Sequence, residues 1–370
     1  VSLILTGSAF PPQESRVGAR HESSLPDARS RRRTVSLLRA LARSGCIDQA
    51  EGMTVIENSR LAIIGAGAVG SSLAYAALIR GSAREVVLYD IDAPRAEAEV
   101  LDLAHGTPFT GASTITGGAD LDLISGANVV VVTAGAKQHP GQSRLDLAGT
   151  NVGILRSLMP ELIERAPNAV YILVTNPCDV LAVAAQRFSG LPPGRVFSSG
   201  TVLDSSRLRW RLAERVGVSP SSIHALIVGE HGDSEFPLWS QSRIGPIPIR
   251  DWVDSNGASM TVEELDQLAD EVKNAAYKVI AGKGATNYAI GLSGARIVEA
   301  VLNDEGAVLP VSSVLHDYRG VSGVALSVPS VVNAAGVARV IDVPFSDDEE
   351  RLLYASAAAI RESLAALDLM

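Results

Sequence analysis

His231 stands in the segment Gly229-Glu230-His231-Gly232-Asp233-Ser234-Glu235, with Asp204 and Arg207 a short helix upstream. Imidazole changes charge near neutral pH, so a histidine set among glycines and carboxylates can pass a proton to and from a reacting oxygen. A solvated loop histidine fits the same segment, so His231 alone assigns nothing. Asp204-Ser205-Ser206-Arg207 reads as the start of a helix. Asp204 and Arg207, three apart, share a face of it, whereas Arg209 points about 200° away from Arg207 and serves another surface. Asp204 is open to two readings, a helix N-cap or a carboxylate of a site.

These side chains need a scaffold. Leu61-Ala62-Ile63-Ile64 is a short apolar run followed by Gly65-Ala66-Gly67-Ala68-Val69-Gly70, then by a helical stretch that stops at Gly81. In a strand–turn–helix unit of this kind, Gly65 permits the tight turn and Gly67 lets backbone N–H groups approach a pyrophosphate. Gly70 allows close helix–strand packing. A second run, Glu85-Val86-Val87-Leu88-Tyr89-Asp90, ends in a carboxylate that can accept both ribose hydroxyls and repel a 2′-phosphate, which favours NAD over NADP. A helix near 94–104 and apolar runs at 128–133 and 169–174 continue the pattern of a parallel sheet covered on both faces. Ligands of such sheets sit beyond the carboxyl ends of the strands. Chemistry is therefore sought in 134–144 and 175–179. The first is a Gly-rich polar loop that runs into a helix at about Leu145 and could close over a substrate carrying Arg144. In the second, Asn176 before Pro177 can cap the next helix or donate into the site.

The chain has 370 residues, is 46% hydrophobic and carries a net charge of -9, which argues against a nucleic-acid partner. No apolar run approaches the length of a membrane helix. Cys46 and Cys178 offer neither a disulfide framework nor metal-ligand spacing, so no metal is expected and a reducing, cytoplasmic setting fits. Residues 1–52 differ: eight Arg and five acidic residues make them net basic, and they include Arg31-Arg32-Arg33 and Pro11-Pro12. An Arg- and Ser-rich transit segment has this composition. So has an untranslated upstream stretch of a GC-rich gene, and 28 Arg against four Lys point to such a gene. We expect residues 1–57 to be a leader, of which 1–52 are disordered or precede a true start at Met53. A Rossmann NAD-binding domain is expected over 58–198 and a mixed α/β catalytic domain over 199–370.

The glycine motif, Asp90, AGAKQHPGQSR (134–144), VTNPCD (174–179), GTVLDSSR (200–207), GEHGDSE (229–235) and Lys283-Gly284-Ala285-Thr286 follow one another in register. In this the chain resembles the lactate/malate dehydrogenase family, on its lactate-type side, from about Arg60 to near the C-terminus. The resemblance implies that His231 is the acid/base, with Asp204 on its other ring nitrogen, and that Arg144 stabilises the carbonyl oxygen beside Asn176. Arg207 would clamp the substrate carboxylate with a two-pronged contact. Thr286 and Gln138 complete the substrate set. Gly65, Gly67, Val69, Gly70, Asp90, Gly135, Ala136, Val174 and Asn176 are the implied NAD contacts.

Malate-type members carry Arg where this chain has Gln138, because a second substrate carboxylate needs a second cation. The neutral Gln138 points to pyruvate and lactate, although Lys137 and His139 flank it and a one-residue shift would present a cation. A dinucleotide-binding protein without catalysis would have no reason to keep His231, Asp204, Arg207 and Arg144 together. The resemblance further implies a homotetramer. Arg209 and His224 match the basic pair that binds fructose 1,6-bisphosphate in responsive bacterial members. If the run from His224 to His231 is extended, their odd separation turns the two imidazoles to opposite faces.

Other residues read as structural. His105 sits at a helix end where imidazolium suits the dipole and Gly106 supplies a stop. Trp210, Trp239 and Trp252 are expected in the core or an interface. Asp347-Asp348-Glu349-Glu350 opens an Ala-rich amphipathic helix.

Overall fold

A computed structural model describes Ile56 and residues 58–136, 144–254 and 256–370. The rest of the expected leader, together with Lys137, Gln138 and His139, lies outside the described residues, as does the side chain of Arg144.

The first half alternates strand and helix: β1 (Arg60–Ile64), α1 (Ala68–Arg80), β2 (Glu85–Tyr89), α2 (Ala93–Gly106), β3 (Thr114–Gly118), β4 (Val129–Val132), α3 (Arg144–Arg165), β5 (Val170–Leu173), α4 (Cys178–Ser189) and β6 (Val196–Ser198). The strands pair in parallel in the order β3-β2-β1-β4-β5-β6. This is the doubly wound order of a Rossmann domain. Period-two alternation divides the apolar side chains between two faces. Leu61, Ile63, Val86, Leu88, Val129 and Val131 pack with Leu73 and Ala77 of α1. Ala62, Ile64, Val87, Val130 and Val132 pack with Leu155 and Met159 of α3 and Leu181 of α4. Both faces are buried, which is why these strands read as unbroken apolar runs.

The second half begins with α5 (Val202–Val216) and continues through β7 (Ile223–His224), β8 (Ile227–Val228), β9 (Phe236–Pro237), β10 (Arg243–Ile244) and β11 (Ile247–Pro248). It goes on with α6 (Val262–Lys273), α7 (Ala275–Lys283), α8 (Tyr288–Leu302), β12 (Ala307–Leu309), β13 (Ser312–Val314), β14 (Ala325–Ser327), β15 (Ser330–Asn333), β16 (Gly336–Val340) and α9 (Asp347–Ala366). β13 adds antiparallel to β6 and β14 to β13, so the sheet of the first half is extended by strands from the second. α9 opens on four acidic residues, as its sequence suggested, and a Ser346–Glu349 capping box closes its N-terminus.

Two local expectations are corrected. The run from 223 to 228 is not one strand: β7 pairs with β10 and β8 with β9 in separate sheets, so alternation along it does not relate His224 to His231. Gly106 has right-handed φ of -81° and does not stop α2, which passes into a 3-10 turn at Thr107–Phe109. Of the two places expected for Trp210, the core is not the one it takes: it is 52% exposed, under the Arg211 guanidinium, which leaves the interface reading. No helix among the described residues is long and apolar enough to cross a membrane.

Candidate active site

His231 lies on the loop between β8 and β9, and Asp204 and Arg207 project from the first two turns of α5. The N-cap of α5 is Thr201, which frees Asp204 from capping. Asp204 is almost fully buried. Its Oδ2 takes the hydrogen bond of His231 Nδ1 at 2.7 Å, and its Oδ1 accepts from Arg207 Nη1. The backbone N–H of His231 donates to Asp179 Oδ2 at 2.7 Å, so a second buried carboxylate holds the loop from behind. Nε2 of His231 makes no hydrogen bond among the described residues, and neither do the remaining Arg207 donors. The imidazole thus has one nitrogen fixed and the other available for a proton transfer.

The electrostatics follow from this packing. Burial works against charge on His231, but Asp204 outweighs it, aided by Glu235 and Asp179, and raises the imidazole to about 9. Burial also pushes Asp204 up, yet His231 and Arg207 hold its carboxyl below the usual range. Asp179, buried and only partly offset by hydrogen bonding and by His231, is raised to about 6. At neutral pH the site presents an imidazolium ready to give its proton to an oxygen.

The turn after β1 has the geometry of a dinucleotide cradle. Gly65 has φ +108°, a conformation L side chains rarely adopt. A Cβ on Gly70 would lie 1.8 Å from the Gly65 carbonyl oxygen, so α1 can sit this close to the turn only without one. A Cβ on Gly67 meets nothing within 4 Å, leaving the N-terminus of α1 open to an approaching phosphate. Asp90 accepts from the N–H groups of Ala66 at 2.7 Å and Asp92 at 3.0 Å, which fixes its carboxylate beside that turn. These residues fit NAD.

The comparisons agree with this geometry. The family described as lactate/malate dehydrogenase, NAD binding domain, matches residues 59–198, and its alpha/beta C-terminal domain matches 201–367. The chain belongs to the lactate/malate dehydrogenase family. It is an oxidoreductase of that family and its cofactor is NAD. It is 51% identical over 311 residues to the L-lactate dehydrogenase of Bifidobacterium animalis subsp. lactis, covering 84% of this chain and 97% of that one. It is 46% identical over 309 residues to that of Nitratidesulfovibrio vulgaris, covering 84% and 100%. The crystal structure of MGS-M5, a lactate dehydrogenase from a Medee basin deep-sea metagenome library, superposes with a TM-score of 0.81 at 36% identity, over 84% of this chain and 99% of that one. The minor L-lactate dehydrogenase of Enterococcus mundtii in its ligands-bound form gives 0.80 at 39%, over 83% and 98%.

Within this lactate/malate dehydrogenase framework the strand ends are joined by a residue the sequence did not single out. Asn151 of α3 is buried; its Oδ1 accepts from Ala136 N at 2.8 Å and its Nδ2 donates to the Asn176 carbonyl at 2.8 Å. Seven residues separate it from Arg144, two helical turns on nearly the same face. A Cβ on Gly135 would stand 2.3 Å from Thr175 Cγ2 and 3.1 Å from Asn151 Oδ1, so Gly135 is required by this joint as well. Asn176 does not cap α4, whose N-cap is Pro177. Val174 is buried at the end of β5 and Val69 half-buried in the first turn of α1. Replacing Asn151 with Asp keeps the acceptor for Ala136 but faces a carboxylate to the Asn176 carbonyl. We expect a stability loss of about 1–3 kcal/mol, read as a lower denaturant midpoint at unchanged slope.

Thr286 is half-buried on the segment between α7 and α8, one residue before Asn287, whose Nδ2 donates to Ser72 Oγ on α1 at 2.8 Å. The Arg209 side chain is largely buried with Nε unpartnered among the described residues, and burial depresses its guanidinium. His224 is exposed on β7. Cys178 is buried, which pushes its thiol well up and makes it a poor nucleophile. Asp179 and Asn151 escaped the sequence reading for one reason: their roles are hydrogen bonds to backbone groups distant in sequence, which no local spacing encodes.

Proposed function

We propose that the chain is an L-lactate dehydrogenase that interconverts (S)-lactate and pyruvate in the cytoplasm. The observation that carries this reading is Asp204 shared between His231 Nδ1, at 2.7 Å, and Arg207. It joins a proton donor to a carboxylate clamp, the two functions a 2-oxo monocarboxylic acid needs. NAD, when bound, supplies or accepts the hydride at its nicotinamide ring. Arg207 holds the substrate carboxylate, and His231 gives its proton to the carbonyl oxygen as C2 is reduced, becoming neutral. Asp204 keeps the imidazole in one orientation and favours its charged form before transfer. Arg144 and Asn176 stabilise charge on the carbonyl oxygen, Thr286 and Gln138 line the substrate, and the neutral Gln138 sets the preference for one carboxylate over two. Gly65, Gly67, Val69, Gly70, Asp90, Gly135, Ala136, Val174 and Asn176 hold the coenzyme. The NAD-binding domain is assigned to 58–198 and the catalytic domain to 199–370.

Arg209 and His224 are assigned to fructose 1,6-bisphosphate, acting in a homotetramer. Support comes from the family resemblance and from Arg209, whose unpartnered Nε lies on α5 away from the face that carries Arg207. One assay tests the whole reading: NADH oxidation with pyruvate, oxaloacetate or 2-oxobutyrate, with and without the bisphosphate. A dicarboxylate beside a neutral Gln138 leaves a charge unpaired at a cost of several kcal/mol, so kcat/KM for pyruvate is expected to exceed that for oxaloacetate by about 100-fold or more. The bisphosphate is expected to lower KM for pyruvate, and Arg209→Ala to abolish that response. Preference for oxaloacetate would make the chain malate-type.

A further inference from the structure

The proton relay leaves one buried acid unused. Glu235, four residues after His231, has a side chain only 5% exposed. Its Oε2 lies 3.9 Å from His231 Nδ1, and one oxygen each of Glu235 and Asp204 and a ring nitrogen of His231 all fall within 4.8 Å of one another. Asp204 already occupies Nδ1, and no hydrogen bond to the Glu235 carboxyl exists among the described residues. The charged groups that face it are Asp204 and Arg207 from α5, His231 from its own loop and Lys273 at the end of α6; Asp179 reaches the same imidazole from α4.

The charges of this cluster decide what it can bind. With His231 protonated and Arg207 cationic, two ionised carboxylates, Asp204 and Glu235, would bring the four groups to zero. A neutral Glu235 leaves them at plus one, matched to a substrate with one carboxylate. We propose that Glu235 is a charge-setting positioning residue that works as the neutral acid, and that its ionisation releases a proton to solvent and weakens binding of the anionic substrate. The proposal rests on the lactate dehydrogenase reading and adds a second proton to it. Burial, then repulsion from Asp204, raise the Glu235 carboxyl to about 8 against the pull of His231, Arg207 and Lys273, so the ionisation falls where binding can be followed. Because Glu235 and His231 interact, the protons belong to the pair.

The test is proton uptake on binding oxamate, the amide isostere of pyruvate, to the full-length protein with NADH. It is measured calorimetrically at pH 9 in two buffers of different ionisation enthalpy, beside KM for pyruvate from pH 6 to 9.5. We expect wild type to take up more than one proton and log KM to climb towards a slope of two. Glu235→Gln is expected to take up at most one and to climb with a slope of one. Wild-type uptake of one proton or fewer, or identical counts in wild type and variant, would overturn the proposal. If the variant does not fold, the wild-type count alone decides. Pyruvate turnover with equal counts would refute the role of Glu235 while leaving the dehydrogenase reading intact; no turnover of pyruvate would refute both.

Discussion

His231→Asn is expected to lower kcat for pyruvate reduction by about 10²–10⁴-fold, the range contributed by a positioned general acid, while NADH still binds. The side chain keeps a polar group near Asp204 but has no proton to give at Nε2, so the loss falls on the chemical step. Fluorescence titration with NADH checks the second half of the expectation, since the cradle from Gly65 to Gly70 and Asp90 is untouched. A variant with more than a tenth of wild-type kcat would remove His231 from the reaction. The same variant carries a stability signature. A folded imidazole raised to about 9, against about 6.5 when unfolded, means that the native state holds more protons between those values. Its contribution is complete below pH 6.5 and is lost as pH rises through 9. In chemical denaturation the wild type should therefore weaken across this window by up to about 3 kcal/mol from this group, and His231→Asn should lack that part of the slope.

Arg207→Lys should damage the enzyme almost as severely, through binding. The guanidinium reaches Asp204 with Nη1, and its other donors have no partner among the described residues. It thus offers a planar fork beside an imidazolium, matched to a carboxylate. Lysine preserves the charge but offers a point donor. Losing one or two charge-assisted hydrogen bonds, each about 1.5–3 kcal/mol, corresponds to a fall of about 10–10³-fold or more in kcat/KM for pyruvate, with the larger share in KM. Asp204 also loses part of what holds its carboxyl down against burial, so the pH profile of kcat should move with the substitution. An unchanged KM would place the substrate carboxylate elsewhere.

The sequence disclosed what repeats along the chain or sits at short spacing. Strands β1, β2, β4 and β5 were legible because both their faces are buried, giving continuous apolar runs, whereas β3, a Thr- and Gly-rich edge strand, and the three-residue β6 gave no such run. The pair Asp204 and Arg207 was legible because helical spacing places them together. What was not legible depends on contacts between distant segments. The extension of the sheet by β13 and β14 joins Ser198 to Ser312 and Ser312 to Ser327 through three-residue strands, too short to carry an alternating signal. The break between His224 and Ile227 looked like one strand because Ala225 and Leu226 are apolar; they are nonetheless linker residues between two sheets. Asn151 and Asp179 bind backbone groups, and Glu235 gains its importance only from burial beside a second carboxylate.

The seam between α1 and α8 carries one more consequence. Gly291 and Gly294 bring α8 so near that a Cβ on either would lie 2.7 Å from the Ser72 carbonyl oxygen or 2.5 Å from Leu73 Cδ1. Asn287 at one end and Glu299 at the other, bonded to Arg80 and Ser82, close the seam. The helix that opens the coenzyme cradle and the helix that follows Thr286 are therefore one mechanical body, although more than 200 residues part them in the chain. Anyone recombining this enzyme with a relative at the natural-looking crossover near residue 200 would separate two surfaces cut to each other. Hybrids of that kind should inherit a poorly mated seam unless both helices travel from the same parent.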